Sequence, residues 1–290
     1  MSQTIRLSAF KLKLRQYWTL TKPLQTGLLL STGLAGYMST HCPVTHIFTL
    51  LSVAGSLFLA VSGSTVLNMW WDRDIDSRMM RTQKRPTAKG AVNPKEALLL
   101  GLLLSAAGVG WALLMNQLYG LIVFAGVFFD VVVYSVWLKR RTCWSILWGG
   151  ISGAMPILAG RTLGVGHIDW IGVMLALGII LWIPTHILTF SIKYHKDYQA
   201  AAIPTFPSTY GVNKTRMVVA VSCVLAAIAM GTAGWGIGVT VGYLRILIVL
   251  STGLLSLAVA TLLRPSEQVN FGLFKYASLY MLLSMLLFAL

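Results

Sequence analysis

Residues 46–76 read HIFTLLSVAGSLFLAVSGSTVLNMWWDRDID, and this stretch decides the fold. From Ile47 to Trp71 there is no charged side chain, and then Asp72, Asp74 and Asp76 follow in close succession. Such a run exceeds the roughly 20 apolar residues needed to cross a hydrocarbon layer about 30 Å thick. Lipid satisfies no backbone polar group, so the run must be helical. Its acidic end marks where the helix meets water.

Outward from this helix the same apolar character recurs. Expected spans fall at 24–40, 46–68, 96–115, 118–137, 144–160, 169–190, 217–238, 243–263 and 271–290, which predicts an all-α bundle of nine transmembrane helices forming one domain over 1–290. Hydrophobic residues make up 56% of the chain and charged residues 11%, too apolar and too charge-poor for a soluble globule. The net charge of +15 would point to nucleic acid in a soluble protein. Here its placement excludes that reading. Arg6, Lys11, Lys13, Arg15 and Lys22 precede the first span; Arg73, Arg78, Arg81, Lys84, Arg85, Lys89 and Lys95 follow the second; Lys139, Arg140 and Arg141 follow the fourth; Lys193, Lys196, Lys214 and Arg216 follow the sixth. The alternate loops are nearly empty of cations, with Arg161 and Arg245 the exceptions. The positive-inside rule then sets a multi-pass protein of the cytoplasmic membrane with a cytoplasmic N-terminus. Residues 1–20 lack the apolar core of a signal peptide. Ile5, Leu7, Phe10, Leu12, Leu14 and Trp18 alternate there with cations, as in a cytoplasmic interfacial helix. Cys42, Cys143 and Cys223 are dispersed and read as small buried hydrophobes. Glycines such as Gly149, Gly150, Gly153, Gly234, Gly236 and Gly238 read as points of close helix packing.

The chain has eight acidic residues, so three of them within 72–76 form a notable concentration. If the second span continues as helix, Asn68, Asp72 and Asp76 lie at i, i+4 and i+8 on one face, with Asp74 pointing elsewhere. Adjacent carboxylates on a helix repel and call for positive charge between them. A solvated face neutralised by Arg73, Arg78 and Arg81 is the plain alternative. A row of oxygen ligands beside Arg81, Lys84 and Arg85 instead suits Mg²⁺ bridging carboxylates to phosphate oxygens, that is, a diphosphate site. A second loop with Asp197 and cations follows the sixth span, so the two loops could converge on one cavity.

Asn68-x3-Asp72-x3-Asp76 running into Met80-Arg81-Thr82-x2-Arg85-Pro86 resembles the first signature of the UbiA superfamily of intramembrane prenyltransferases, in the form of its protohaem IX farnesyltransferase branch. Thr21-Lys22-Pro23, Tyr134 to Thr142, Gly149-Gly150-x-x-Gly153-Ala154-x-Pro156, Trp182-x-Pro184-x-His186 and Asp197-Tyr198-x-Ala200-Ala201-x-Ile203-Pro204 are similar to further segments of that family, over residues 21 to 211. The resemblance implies a UbiA-type bundle around a central cavity open to the cytoplasmic side, and transfer of a farnesyl group from farnesyl diphosphate to a vinyl group of protohaem IX. It implies Mg²⁺ held by Asn68, Asp72, Asp76 and Asp197, and diphosphate contacts from Asn68, Arg81, Arg85, Lys139, Arg140 and Lys193. Asp72, Asp76, Tyr134, Lys139 and Asp197 are the expected catalytic set, with His186 as a haem ligand. Asp197 stands alone where the superfamily has a second pair of acids. Met155, Arg161 and Ile187 to Phe190 depart from the haem-type pattern where an acceptor would lie. A quinone precursor, a chlorophyll-like ring or an archaeal-type lipid therefore stay open as acceptors. A transporter is the competing class. It would place ionisable groups near the midplane, whereas Asp130 is the one acid plainly inside a span.

Overall fold

A computed structural model describes residues 3–40 and 47–289; Cys42, His41 and His46 lie outside them, as do the side chains of residues 3–10. The helices are α1 (Gln3–Leu20), α2 (Pro23–Met38), α3 (Ile47–Trp71), α4 (Arg73–Arg78), α5 (Pro94–Met115), α6 (Gln117–Phe128), α7 (Ser145–Val165), α8 (Trp170–Lys193), α9 (His195–Ala200), α10 (Phe206–Tyr210), α11 (Val212–Ile237), α12 (Val241–Leu263) and α13 (Glu267–Ala289). α6 runs on without a break as a π-helix over Phe129–Leu138.

Their ends follow local chemistry. Asn93, Asn116 and Asp169 cap α5, α6 and α8 by accepting from the N–H groups of Lys95, Tyr119 and Gly172 at 2.9, 3.0 and 2.8 Å. Pro23 and Pro94 open α2 and α5, where a missing N–H costs nothing.

Consecutive long helices pack in a closed ring, α2 on α3, then α5, α6, α7, α8, α11, α12 and α13, which returns to α2. α2 also packs extensively on α7 across the ring. That contact needs glycine: a Cβ on Gly160 would run into the Gly33 carbonyl, and the two backbones meet directly. The core divides accordingly. Leu175, Met230, Leu254, Leu273 and Tyr280 fill the α8 to α13 side, and Val53, Leu57, Tyr119 and Ile122 the α3 to α6 side. Large apolar side chains also point outward, Leu114 being 90% exposed, as a lipid solvent allows.

Among the described residues seven helices are long and apolar enough to cross a membrane: α3, α5, α6 with its π-helical extension, α8, α11, α12 and α13. The sequence led to nine. The other two expected segments are the helices α2, whose 16 residues rise only about 24 Å, and α7, which carries Arg161. Arg161 is buried, donates to both oxygens of Asp169 at 2.7–3.0 Å, and reaches Ser39. Its charge is thus neutralised locally, which explains one exception in the loop pattern. Burial would raise the Asp169 carboxyl, but Arg161 and the capping N–H hold it below the ordinary value.

α1 lies against the start of α5, where Tyr17 and Lys13 donate to Glu96. Leu12, Leu14 and Trp18 on α1 are all more than half exposed.

Candidate functional site

The helical ladder passes through the acidic stretch. Asp72 N–H donates to the Asn68 carbonyl at 2.9 Å and Asp76 N–H to that of Asp72 at 2.8 Å, so α4 continues α3 with only a slight distortion at Asp72. Asn68, Asp72 and Asp76 therefore share one face, as expected. Asp72 and Asp76 are 2% and 3% exposed while Asp74 lies open to solvent.

Each buried carboxylate meets one cation. Lys139 pairs with Asp72 Oδ2, and Arg85 Nη1 donates to both oxygens of Asp76 at 2.8 Å. Burial works against the Lys139 charge, but the Tyr134 phenol and Asp72 outweigh it and hold the ammonium above the ordinary lysine value. Its Nζ also lies 5.7 Å from the Tyr134 ring centroid. Asp72 Oδ1 is buried with no hydrogen-bond partner. A buried carboxylate oxygen left without a donor is costly, and it is the natural point for a cation to attach.

Asn68 is held from the π-helix. Its Nδ2 donates to Asp130 Oδ2 at 2.7 Å, and its Oδ1 accepts from Ser135 at 2.7 Å. Ser64 completes the cluster by donating to the same Asp130 oxygen. The π-helical ladder closes with Lys139 N–H on the Tyr134 carbonyl, five residues back, at 2.8 Å. This spacing lets Asp130, Ser135 and Lys139 all face α3 and α4. In an α-helix, residues five apart would diverge by about 140°.

Lys22 also belongs to the cluster, and sequence reasoning had given it only a topological role. It precedes α2 in the left-handed region at φ 45°, a strained conformation for a side-chain-bearing residue. Desolvation of its ammonium, then the positive charges of Arg85 and Lys139, push its pKa down to about 8. The signal in the sequence was Thr21-Lys22-Pro23, but only the fold brings it to Asp76 and Asp130.

The loop after α4 and the segment after α8 meet. Ile75 and Met79 pack with Tyr198, Ala201 and Ile203, and the Arg81 N–H donates to Asp197 Oδ2 at 3.2 Å. Asp197 thus caps the neighbouring loop, and no ion pair joins it to Lys193 or Lys196 among the described residues. The remaining expected cations are spread out. Arg81 stacks over Phe190 and Tyr194 at 5.0 and 5.7 Å. Arg140 forks onto Asp74 at 2.7 and 2.9 Å, on the face turned away from Asp72 and Asp76. Lys193 lies over Phe271 of α13. His186 is stacked between Trp182 and Phe274, also against α13, with Nδ1 3.2 Å from Ser278 Oγ.

Two cavities flank the cluster. One, of about 380 Å³ including its open mouth, is lined by Leu29, Leu57, Val61, Val127, Met155 and Pro156 and ends at Ser64 and Asp130. The other, about 420 Å³, has Tyr134 and Lys139 on one wall and Tyr198, Ile203 and Phe206 on another. No group of three or more His, Cys, Asp or Glu side chains within ligand reach of one point occurs among the described residues. The fit to Mg²⁺ rests instead on hard oxygens: the unpartnered Asp72 Oδ1, the Asn68 carbonyl with a lone pair to spare, and Asp76. These suit an ion that keeps several waters.

Known proteins resemble this chain along most of its length. The sequence profile of the UbiA prenyltransferase family matches residues 29–286. Protoheme IX farnesyltransferase of Korarchaeum cryptofilum is 41% identical over 224 residues, covering 77% of this chain and 76% of that protein. Protoheme IX farnesyltransferase of Aeropyrum pernix is 36% identical over 272 residues, covering 92% and 88%. Two solved structures share the fold at low identity. One, concerned with digeranylgeranylglyceryl phosphate synthase in membranes, has a TM-score of 0.80 at 19% identity and covers 96% of this chain and 97% of that one. The other, a UbiA homolog from Archaeoglobus fulgidus bound to GPP and Mg²⁺, has a TM-score of 0.66 at 13% identity and covers 95% and 100%. This chain belongs to the UbiA prenyltransferase family and is an intramembrane prenyltransferase.

Proposed function

We propose that this family member transfers a farnesyl group from farnesyl diphosphate to a vinyl group of protohaem IX, with Mg²⁺ bound at Asn68, Asp72 and Asp76 and with Asp197 at the rim. The observation that carries prenyl transfer is the pairing of two buried carboxylates with Lys139 and Arg85, beside an unpartnered Asp72 oxygen. Relatives named for protohaem farnesylation supply the acceptor. We read nine spans, α2 and α7 included, with the N-terminus and the acidic loops on the cytoplasmic side.

Bound Mg²⁺ would supply charge neutralisation for the diphosphate as its bond to carbon breaks. The chain's own groups do the rest. Lys139, Arg85 and Lys22, gathered at the carboxylate cluster, and Arg81 at the adjoining loop would stabilise the negative charge that the departing diphosphate gains, more strongly in the transition state than in the ground state. The Tyr134 ring faces the allylic cation. The apolar cavity ending at Asp130 holds the isoprenoid and keeps water from the cation. His186, with its Nδ1 held by Ser278 Oγ, would leave Nε2 free as an iron ligand.

Incubation of the purified protein with protohaem and a quinone precursor in competition, together with farnesyl diphosphate and Mg²⁺, tests this by mass spectrometry. The expected product is a haem gaining one farnesyl group and one hydroxyl, the diphosphate leaving as the farnesyl carbon bonds to the vinyl group and water adding with loss of a proton. A prenylated quinone precursor formed in its place, with protohaem unchanged, overturns the acceptor and keeps the class. Absence of any diphosphate release overturns both.

A further inference from the structure

The seam between α8 and α13 is lined by a continuous row of flat side chains. Trp182 stacks on His186 with centroids 4.9 Å apart and 24° between planes, and His186 on Phe274 at 4.5 Å and 27°. Phe274 then meets Phe190 and Phe271, each at 5.6 Å, the latter pair nearly parallel at 8°. The row therefore runs from Trp182 to the C-terminal end of α8, which leads into the Asp197 segment, and to the first turns of α13.

Its end is positively charged. Lys193 Nζ sits 3.3 Å from the Phe271 ring centroid, and Lys275 Nζ sits 4.8 Å from the same centroid. Both lysines are exposed, and neither has a carboxylate within salt-bridge distance among the described residues. Two ammonium groups gathered on one ring repel each other, and the ring quadrupole offsets only part of that. The pair lacks an anion. Lys193 also makes no ion pair with Asp72 or Asp76, whose partners are Lys139 and Arg85. It is better placed for a different negative group than for the diphosphate.

We propose that this seam is the docking face of the acceptor: a flat aromatic macrocycle lies along the α8–α13 row, and its two carboxylates are gripped by Lys193 and Lys275. The inference rests on the protohaem reading and adds which residues recognise the propionates. An anionic lipid headgroup presents the same chemistry to two interfacial lysines. The source of the anion is therefore separated by experiment.

The full chain, in nanodiscs of phosphatidylcholine, is titrated with protohaem and with its dimethyl ester by absorbance, for the wild type and for Lys193→Gln/Lys275→Gln. KM for farnesyl diphosphate is measured in parallel. Wild-type protein is expected to bind the diacid about fivefold to tenfold more tightly than the diester. The double variant is expected to bind both with the weaker affinity while KM for farnesyl diphosphate stays within twofold. Equal protohaem affinity in variant and wild type overturns the inference and leaves the acceptor reading intact. A rise in KM for farnesyl diphosphate alone overturns it in favour of a diphosphate role. An effect that appears only when phosphatidylglycerol is added overturns it in favour of a lipid site. Protohaem that neither binds nor reacts with wild-type protein removes the acceptor reading and the inference together.

Discussion

Asn68 and Asp130 hold each other across α3 and the π-helix, Nδ2 to Oδ2 at 2.7 Å, and this fixes which end of the Asn68 amide faces the two buried aspartates. With the amide nitrogen committed to Asp130, the carbonyl oxygen is left on the side of Ser135 and open to a further cation. Asp130 thus acts through Asn68, as a positioning residue.

Replacing Asp130 by Leu removes that constraint. The concentration of Mg²⁺ giving half-maximal rate is expected to rise about tenfold, the worth of one hydrogen bond to a charged group. Asp130→Asn retains an acceptor for Asn68 and should recover most of the loss. A general packing defect would lower kcat in both variants without moving the Mg²⁺ dependence.

Lys139→Ala leaves the Asp72 carboxylate buried with no counter-charge, because its second oxygen has no donor either. Destabilisation of about 3 kcal/mol is expected, with complete loss of prenyl transfer. Adding Asp72→Ala removes the stranded charge, so thermal unfolding of the double variant should return toward wild type while diphosphate release stays absent. A double variant less stable than Lys139→Ala would count against the ion pair.

Lys22 titrates near pH 8 in the substrate-free protein, pushed down by desolvation and by Arg85 and Lys139. A lysine with a lowered pKa is charged below that value and neutral above it, and a diphosphate binds the charged form. KM for farnesyl diphosphate is therefore expected to be flat from pH 6 to 7.5 and to climb above pH 8, by about tenfold per unit at most. Lys22→Arg keeps its charge and should abolish the climb. An unchanged profile in that variant would assign the titration to another group.

Met155 reaches toward Gly126 at the wall of the apolar cavity, where a Cβ on Gly126 would lie 3.1 Å from the Met155 Cβ. Met155→Ala deepens the cavity and is expected to shift the preference toward geranylgeranyl diphosphate by at least several-fold in kcat/KM, since room for a single methylene in an apolar pocket is worth about 1–3 kcal/mol. Competition between the two donors, read by mass spectrometry, measures the ratio.

Much of the architecture was legible in the chain because a lipid solvent enforces a simple rule: long apolar runs must be helices. Each expected run corresponds to a long helix, although α2 and α7 fall outside the seven that are apolar and long enough by themselves. The shared face of Asn68, Asp72 and Asp76 was legible too, since helical spacing alone places them together when the helix continues. The destinations of the cations were not. Lys139, Arg140, Lys193 and Lys22 are all basic residues beside helix ends, and sequence spacing does not tell that Lys139 meets Asp72, Arg140 meets Asp74 and Lys193 meets Phe271.

By itself the sequence determined a polytopic helical membrane protein with one acid-lined helix edge, because apolar length and the i, i+4, i+8 spacing are properties of single segments. Only the tertiary structure decided how that edge is completed. The turn from α-helix to π-helix over Phe129–Leu138 swings Asp130, Ser135 and Lys139 onto one side, and the left-handed entry at Lys22 brings in a second ammonium. Both depend on backbone geometry that the packed bundle imposes, and residue order along a helix of ordinary pitch would have pointed those groups apart.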